Sequence, residues 1–255
     1  MSFAGFYLFE LVFDQYDNLK EVLLAKCEGK PVFYCPNIGN WGDAVIREGT
    51  IKFFRDIGLR YCELPPKRRK WLIPLLQGGV AIYGGGGAFV DYYQFAERIV
   101  QKLRQRFEVV VMPSTFARSL SYPDVTFFRR DDRESRSMMR ESRFCHDMGF
   151  YLGKLEAPLG CGKGNFFRQD IEKTERSVPE GNRDISTEGD HNTPLTGFFE
   201  AIGKFETINT NRLHVAIVAA LQGKNVNLYP NSYFKNKAVF HSSLEPHFPK
   251  VRFCE

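Results

Sequence analysis

Three short apolar runs, Val32–Cys35, Val80–Tyr83 and residues 109–112, are each bounded by Gly or Pro and separated by helical-looking segments at 44–57 and 94–106. Alternation of this kind predicts strands of a parallel sheet with helices packed over it. The rhythm restarts after Ser121-Tyr122-Pro123, with a strand at 125–128, a charged helix at 133–142 and a strand at 144–146. It returns near the end as helix 197–204, strand 205–208, helix 213–222 and strand 226–229. The expected fold class is α/β, in two units covering residues 1–122 and 123–255. Residues 175–194 are polar and turn-rich, with no apolar face to bury, and are expected to form a mobile surface loop.

A chain of 255 residues, 43% hydrophobic and carrying 24 Phe, can bury a sizeable core. Its formal charge of +5 is mild, and the basic residues are dispersed except for Lys67-Arg68-Arg69-Lys70. That balance argues against committed nucleic-acid binding and for an anionic ligand or a membrane surface. The six cysteines form no C-x-x-C pair and no zinc spacing, so reduced thiols in a cytoplasmic protein, and no metal centre, are expected. The amino-terminal stretch is apolar at first but lacks a basic lead and is interrupted by Glu10 and Asp14. It predicts an amphipathic helix packed on the body, neither a signal peptide nor a membrane span.

Candidate chemistry sits where strands give way to helices. Gly39-Asn40-Trp41-Gly42-Asp43 turns on two glycines into a helix, yet it places an acid where helix amino ends attract anions. Asp43 either caps the helix or faces something other than a phosphate. Gly84, Gly85, Gly86 and Gly87 follow the strand Val80–Tyr83 at its carboxyl end, where open α/β sheets bind ligands. Four consecutive glycines point to a ligand-facing loop more than to a tight turn, although neither a dinucleotide fingerprint nor a Walker lysine accompanies them.

In Thr210-Asn211-Arg212-Leu213-His214 a strand ends, polar residues cap the next helix, and Arg212 and His214 fall in its first turn. The helix dipole disfavours bases there, and an anionic ligand would reverse the sign. An exposed arginine and a packed core histidine are the structural alternative. Arg133-Glu134-x-x-Ser137 and Arg168-x-Asp170-x-Glu172 are weak signals singly, and a solvated helix face accounts for most of the first.

Taken in order, these segments resemble the polysaccharide pyruvyl transferase family. The family's pattern has a G-N-x-G-D turn, an early glycine cluster, R-E-x-x-S, R-x-D-x-E and T-x-R-L-H. The tail Asn231-Ser232-Tyr233-Phe234-Lys235-Asn236 also resembles the family's aromatic-and-lysine segment. The resemblance covers most of the chain. It implies two Rossmann-like halves facing a cleft, similar to the two-lobed (GT-B-like) glycosyltransferase architecture.

The activity it implies is transfer of the enolpyruvyl group of phosphoenolpyruvate onto two hydroxyls of a sugar, forming a cyclic pyruvate ketal and releasing phosphate. On that resemblance Arg212, Arg168 and Lys235 hold the donor anion and His214 supplies a proton to the methylene carbon. Asp43 takes a proton from an attacking hydroxyl, Asn40 and the four glycines contact substrate, and no cofactor is needed. The acceptor is a sugar or lipid-linked oligosaccharide, with no nucleic acid among the partners. A nucleotide-sugar glycosyltransferase of the same shape is the rival enzyme reading. A non-catalytic reading lays Lys67-Arg68-Arg69-Lys70 and Trp71 on acidic lipid, as peripheral membrane association.

Overall fold

The structure is a computed structural model that describes the backbone of residues 4–255 and the side chains from Tyr16 onward. The described residues form two open sheets in an α/β arrangement. In the first, β1 (Val32–Cys35), β2 (Cys62–Glu63), β3 (Val80–Tyr83), β4 (Gly86–Phe89), β5 (Glu108–Phe116), β6 (Val125–Arg129) and β7 (Arg143–Phe144) are ordered β2-β1-β3-β5-β6-β7, with β4 paired to β5. In the second, β8 (Lys163–Phe166), β9 (Thr207–Thr210), β10 (Asn225–Leu228) and β11 (Val251–Phe253) are ordered β11-β10-β9-β8. Pairing between these strands is parallel throughout.

The connections are the helices α1 (Ala4–Cys27), α2 (Trp41–Asp56), α3 (Arg69–Leu72), α4 (Phe95–Arg104), α5 (Glu134–Met138), α6 (Thr196–Gly203), α7 (Leu213–Leu221), α8 (Lys235–Val239) and α9 (Glu245–His247). All four residues of β3 are apolar and buried because both faces of its sheet are covered. On one face Val100 and Leu103 of α4 pack with Tyr83, Val109 and Val111. On the other, Leu19 and Leu23 of α1, Val45 and Phe53 of α2, and Ile217 of α7 join Tyr34, Ile82, Val110 and Phe128. That second cluster continues without a break into Phe166, Ile208 and Val226 of the other sheet.

The unit boundary expected at residues 122/123 is corrected by the strand pairing. β6 and β7 extend the first sheet, because Val125 to Phe127 find hydrogen-bonding partners on β5 and Phe128 and Arg129 on β7. The second sheet begins only at Lys163. In α1, Tyr16, Leu19, Leu23 and Cys27 are buried at helical spacing, as an amphipathic helix requires; the apolar lead before them lies outside the described side chains. No helix among the described residues is long and apolar enough to cross a membrane. All six cysteines are free thiols.

Segment 175–194 is mostly exposed, but it is tied down. Ile185 is fully buried, against the expectation of no apolar contact, and Asp190 bridges to Asn40. His191 N–H donates to the Gly39 carbonyl at 3.2 Å, and Trp41 Nε1 donates to the carbonyls of Thr193 and Pro194 at 3.3 and 3.2 Å.

One buried group sets an acid limit on the fold. His146 packs among Phe144, Phe150 and His247, its Nδ1 lies 2.7 Å from Ser243 Oγ, and its Nε2 has no partner among the described residues. Burial, with His247 alongside, pulls its pKa from 6.5 to about 3. Between those values the unfolded chain holds a proton that the folded chain refuses, so stability falls as pH drops, by up to about 1.4 kcal/mol per pH unit. Urea midpoints measured across this window are expected to decline with acidity, and His146→Gln is expected to lose most of that slope.

Candidate active site

A pocket of about 260 Å³ lies where the carboxyl ends of the two sheets meet. The amino end of α2 forms one wall. Asn40 caps it, accepting from Gly42 N–H at 2.8 Å, and Asp43 Oδ2 accepts from Asn40 N–H at 3.0 Å, which completes a capping box. The capping reading of Asp43 is thus realised, and the same carboxylate also lines the pocket. Its Oδ1 accepts from Asn37 Nδ2 at 3.0 Å, and Asn37 is held in turn by Tyr83 Oη at 2.9 Å. Burial pushes the Asp43 carboxyl pKa up, opposed by His214, Asn37 and Arg130.

His214, in the first turn of α7, faces this acid across Gly42. A Cβ on Gly42 would stand 2.6 Å from His214 Nδ1, so only glycine permits the approach. On the other side of the ring, Nε2 is 3.5 Å from Asp147 Oδ2, with no closer partner among the described residues. Asp147 is fully buried. Burial alone would raise its pKa, but His214, Arg130 and the Gly149 N–H together hold it well below the usual carboxylate range. Arg130 Nη1 and Gly149 N–H donate to it at 2.6 and 2.8 Å.

The cations of the second half sit differently from what the sequence implies. Arg168 gives Nε and Nη2 to Asp170 at 2.7 and 3.0 Å and Nη1 to Glu172. Arg212 gives Nε and Nη2 to Asp184 at 2.8 and 2.6 Å, and its Nη1 lies 2.8 Å from Asp170. Lys235, on α8, donates to Glu172, which Asn231 also holds. Burial lowers the Lys235 pKa to about 8 against the pull of Glu172. Three cations are therefore matched by three carboxylates before any ligand enters. Replacing Arg212 by Lys keeps the charge but loses the fork onto Asp184. That variant is expected to cost about 1–3 kcal/mol, read as a lower thermal midpoint, rather than to act on ligand affinity alone.

Arg130 is the guanidinium left with an open edge. Its Nε donates to Thr115 Oγ1 at 2.8 Å and its Nη1 to Asp147, while Nη2 has no partner among the described residues. A Cβ on Gly87 would stand 3.3 Å from both this Nη2 and the buried, unpartnered Tyr233 Oη. The sequence concealed Arg130 within a charged run. Its R-E-x-x-S match, Arg133, Glu134 and Ser137, is exposed instead, because the strand ends four residues earlier at Arg129 and Arg130, the next residue, is buried.

Of the expected residues, Asn40, Asp43, Gly87, Arg168, Arg212, His214 and Lys235 line the pocket. Gly84, Gly85 and Gly86 do not. β3 and the start of β4 keep one register on β5, with Val80 opposite Glu108 and Gly86 opposite Ser114, and the register shifts only between Gly86 and Phe89, so Gly84 and Gly85 are a two-residue break between strands and not an open loop. A Cβ on Gly84 would meet Asn37 N at 2.6 Å, and one on Gly85 the Pro113 carbonyl at 2.3 Å. Backbone crowding, not ligand contact, accounts for these two.

Comparison of the sequence with known protein families and with curated proteins finds no match. Among solved structures the chain is similar to the crystal structure of a functionally uncharacterized protein, KP1_0663, from Klebsiella pneumoniae subsp. pneumoniae NTUH-K2044. The two share 27% identity at a TM-score of 0.77, over 94% of this chain and 98% of that one.

Proposed function

We propose that the chain is a polysaccharide pyruvyl transferase of two-lobed, GT-B-like architecture, acting in the cytoplasm on a sugar of a surface polysaccharide or glycolipid precursor. One observation carries the reading: segments far apart in sequence, 39–43, 168–172 and 212–214 together with Lys235, converge on one pocket between two parallel sheets. Phosphoenolpyruvate brings a carboxylate and a phosphate. Arg130 Nη2 offers an open donor, and Lys235, with its pKa near 8, can turn from Glu172 toward an incoming anion.

Protonation of the methylene carbon by His214 leaves positive character on the carbon that bears the phosphate, with ionised Asp147 as counter-charge to the imidazolium. A sugar hydroxyl adds there and passes its proton to Asp43, whose raised pKa suits a base. The carbon–oxygen bond to phosphate then breaks and the second hydroxyl closes the ketal. Of the two hydroxyl protons, one replaces the proton given to the new methyl group and the other leaves with phosphate.

The test is incubation with phosphoenolpyruvate and a panel of hexose-terminated oligosaccharides. The expected product shows the mass gain of a ketal-linked pyruvate, one phosphate released per ketal, and activity that survives EDTA. Thermal stabilisation by nucleotide sugars but not by phosphoenolpyruvate would instead select the glycosyltransferase reading.

A further inference from the structure

Between β2 and β3 the chain makes a short helical projection, α3 followed by a 3-10 turn at Ile73–Leu75. Its inward face is anchored. Arg69 and Ile73, one turn apart, are 8% and 5% exposed, and Arg69 Nη1 donates to the Pro36 carbonyl at 3.2 Å. Its outward stripe is Lys67, Trp71 and Leu75, spaced four residues apart, with Trp71 68% and Leu75 80% exposed. Lys67, Arg68 and Lys70 are exposed and form no ion pair among the described residues, and Lys70 Nζ lies 5.0 Å from the centre of the Trp71 ring.

Holding two large apolar side chains in water on a proline-flanked turn calls for something that covers them. The surrounding charge says what kind of surface that is. Three unneutralised cations around a Trp–Leu tip match an anionic surface with an apolar interior behind it, and indole rings favour the headgroup level of a bilayer. A second copy of the chain is a poor occupant, because a two-fold contact would set the like-charged patches against each other.

We propose that this projection is a membrane-docking site, with Trp71 and Leu75 entering the headgroup layer of a bilayer rich in anionic lipid and Lys67, Arg68 and Lys70 holding its phosphates. The site stands independently of the chemistry assigned to the pocket. It is nonetheless joined to it, because Pro36, which Arg69 grips, is followed directly by Asn37 of the pocket wall. On the function proposed above, an acceptor carried on a lipid would meet the pocket at the bilayer surface.

The experiment is co-sedimentation of the full chain with phosphatidylcholine vesicles and with vesicles enriched in phosphatidylglycerol, alongside tryptophan emission. The chain has two Trp, and Trp41 is buried, so a blue shift on binding reports Trp71. Binding is expected only with the anionic vesicles, with a blue shift, and it should weaken as salt rises. Lys67→Glu/Arg68→Glu/Lys70→Glu is expected to bind on the order of 100-fold more weakly, and Trp71→Ala/Leu75→Ser to lose the retained fraction, both with wild-type thermal midpoints. No binding, equal binding to both vesicle types, or binding untouched by either variant would overturn the proposal. So would dimerisation in solution that Trp71→Ala/Leu75→Ser abolishes, or tighter capture by DNA than by the anionic vesicles.

Discussion

His214→Gln is expected to lower the single-turnover rate of the proposed pyruvyl transfer by about 10² to 10⁴, while the thermal midpoint barely moves. Both halves of that expectation come from the geometry. The ring lines the pocket beside Asp43, and its Nε2 rests 3.5 Å from ionised Asp147 with no closer partner among the described residues. Glutamine matches the polarity and rough size but cannot deliver a proton to carbon. Phosphoenolpyruvate affinity, measured by titration, should change far less than the rate. A variant that melts early yet turns over normally would return His214 to a packing role.

Asp147→Asn is expected to destabilise the fold by about 3–5 kcal/mol, or roughly 10 °C in thermal midpoint for a chain of this size. Asp147 is buried against Arg130, which is 1% exposed, so neutralising the acid strands a guanidinium in the interior. The acid limb should change as well. A carboxylate whose folded pKa is depressed adds stability above its unfolded pKa and loses it as pH falls through the folded one, so the variant should show a shallower decline below about pH 4. Equal midpoints for wild type and variant would mean that Arg130 finds another partner.

Much of the first sheet was legible because β1 and β3 are continuous apolar runs, β5 carries one at residues 109–112 and β6 is apolar at Val125, Phe127 and Phe128, and α2, α4, α6 and α7 begin and end within three residues of expectation. The strands that escaped notice lack that signal. β2 has two residues, β8 reads Lys-Gly-Asn-Phe at a sheet edge, β4 opens on glycines, and β11 is three residues near the chain's end. The charged helix expected over 133–142 shrinks to Glu134–Met138, because Met139 leaves the helical conformation at φ −126° and ψ 69°.

The site was half legible for a different reason. Asp43, Arg212 and His214 stand at strand-to-helix turns, where position alone suggests a role. Asp147 and Arg130 are an acid and a base brought together only by tertiary packing. The partners of Arg168 and Arg212 were legible only in part: Asp170 and Glu172 belong to the segment of Arg168, whereas Asp184 comes from a loop that looked unattached.

The apolar cluster shared by both sheets bears on how a substrate gets in. A cleft that opens by hinge rotation needs a loosely packed seam to rotate about. Here α2 of the first half lies so closely on α7 of the second that a Cβ on Gly42 would stand 2.6 Å from His214 Nδ1, and Val45 and Ile217 share one core. Swinging the halves apart would pull open a close-packed interior. Access is left to the strap at 175–194, which is pinned to the core at Ile185 but otherwise held by polar contacts that water can replace: Asp184 on Arg212, Asp190 on Asn40, and Trp41 Nε1 on two carbonyls. Gating would then be local and sensitive to ionic strength, with the two sheets moving as one body.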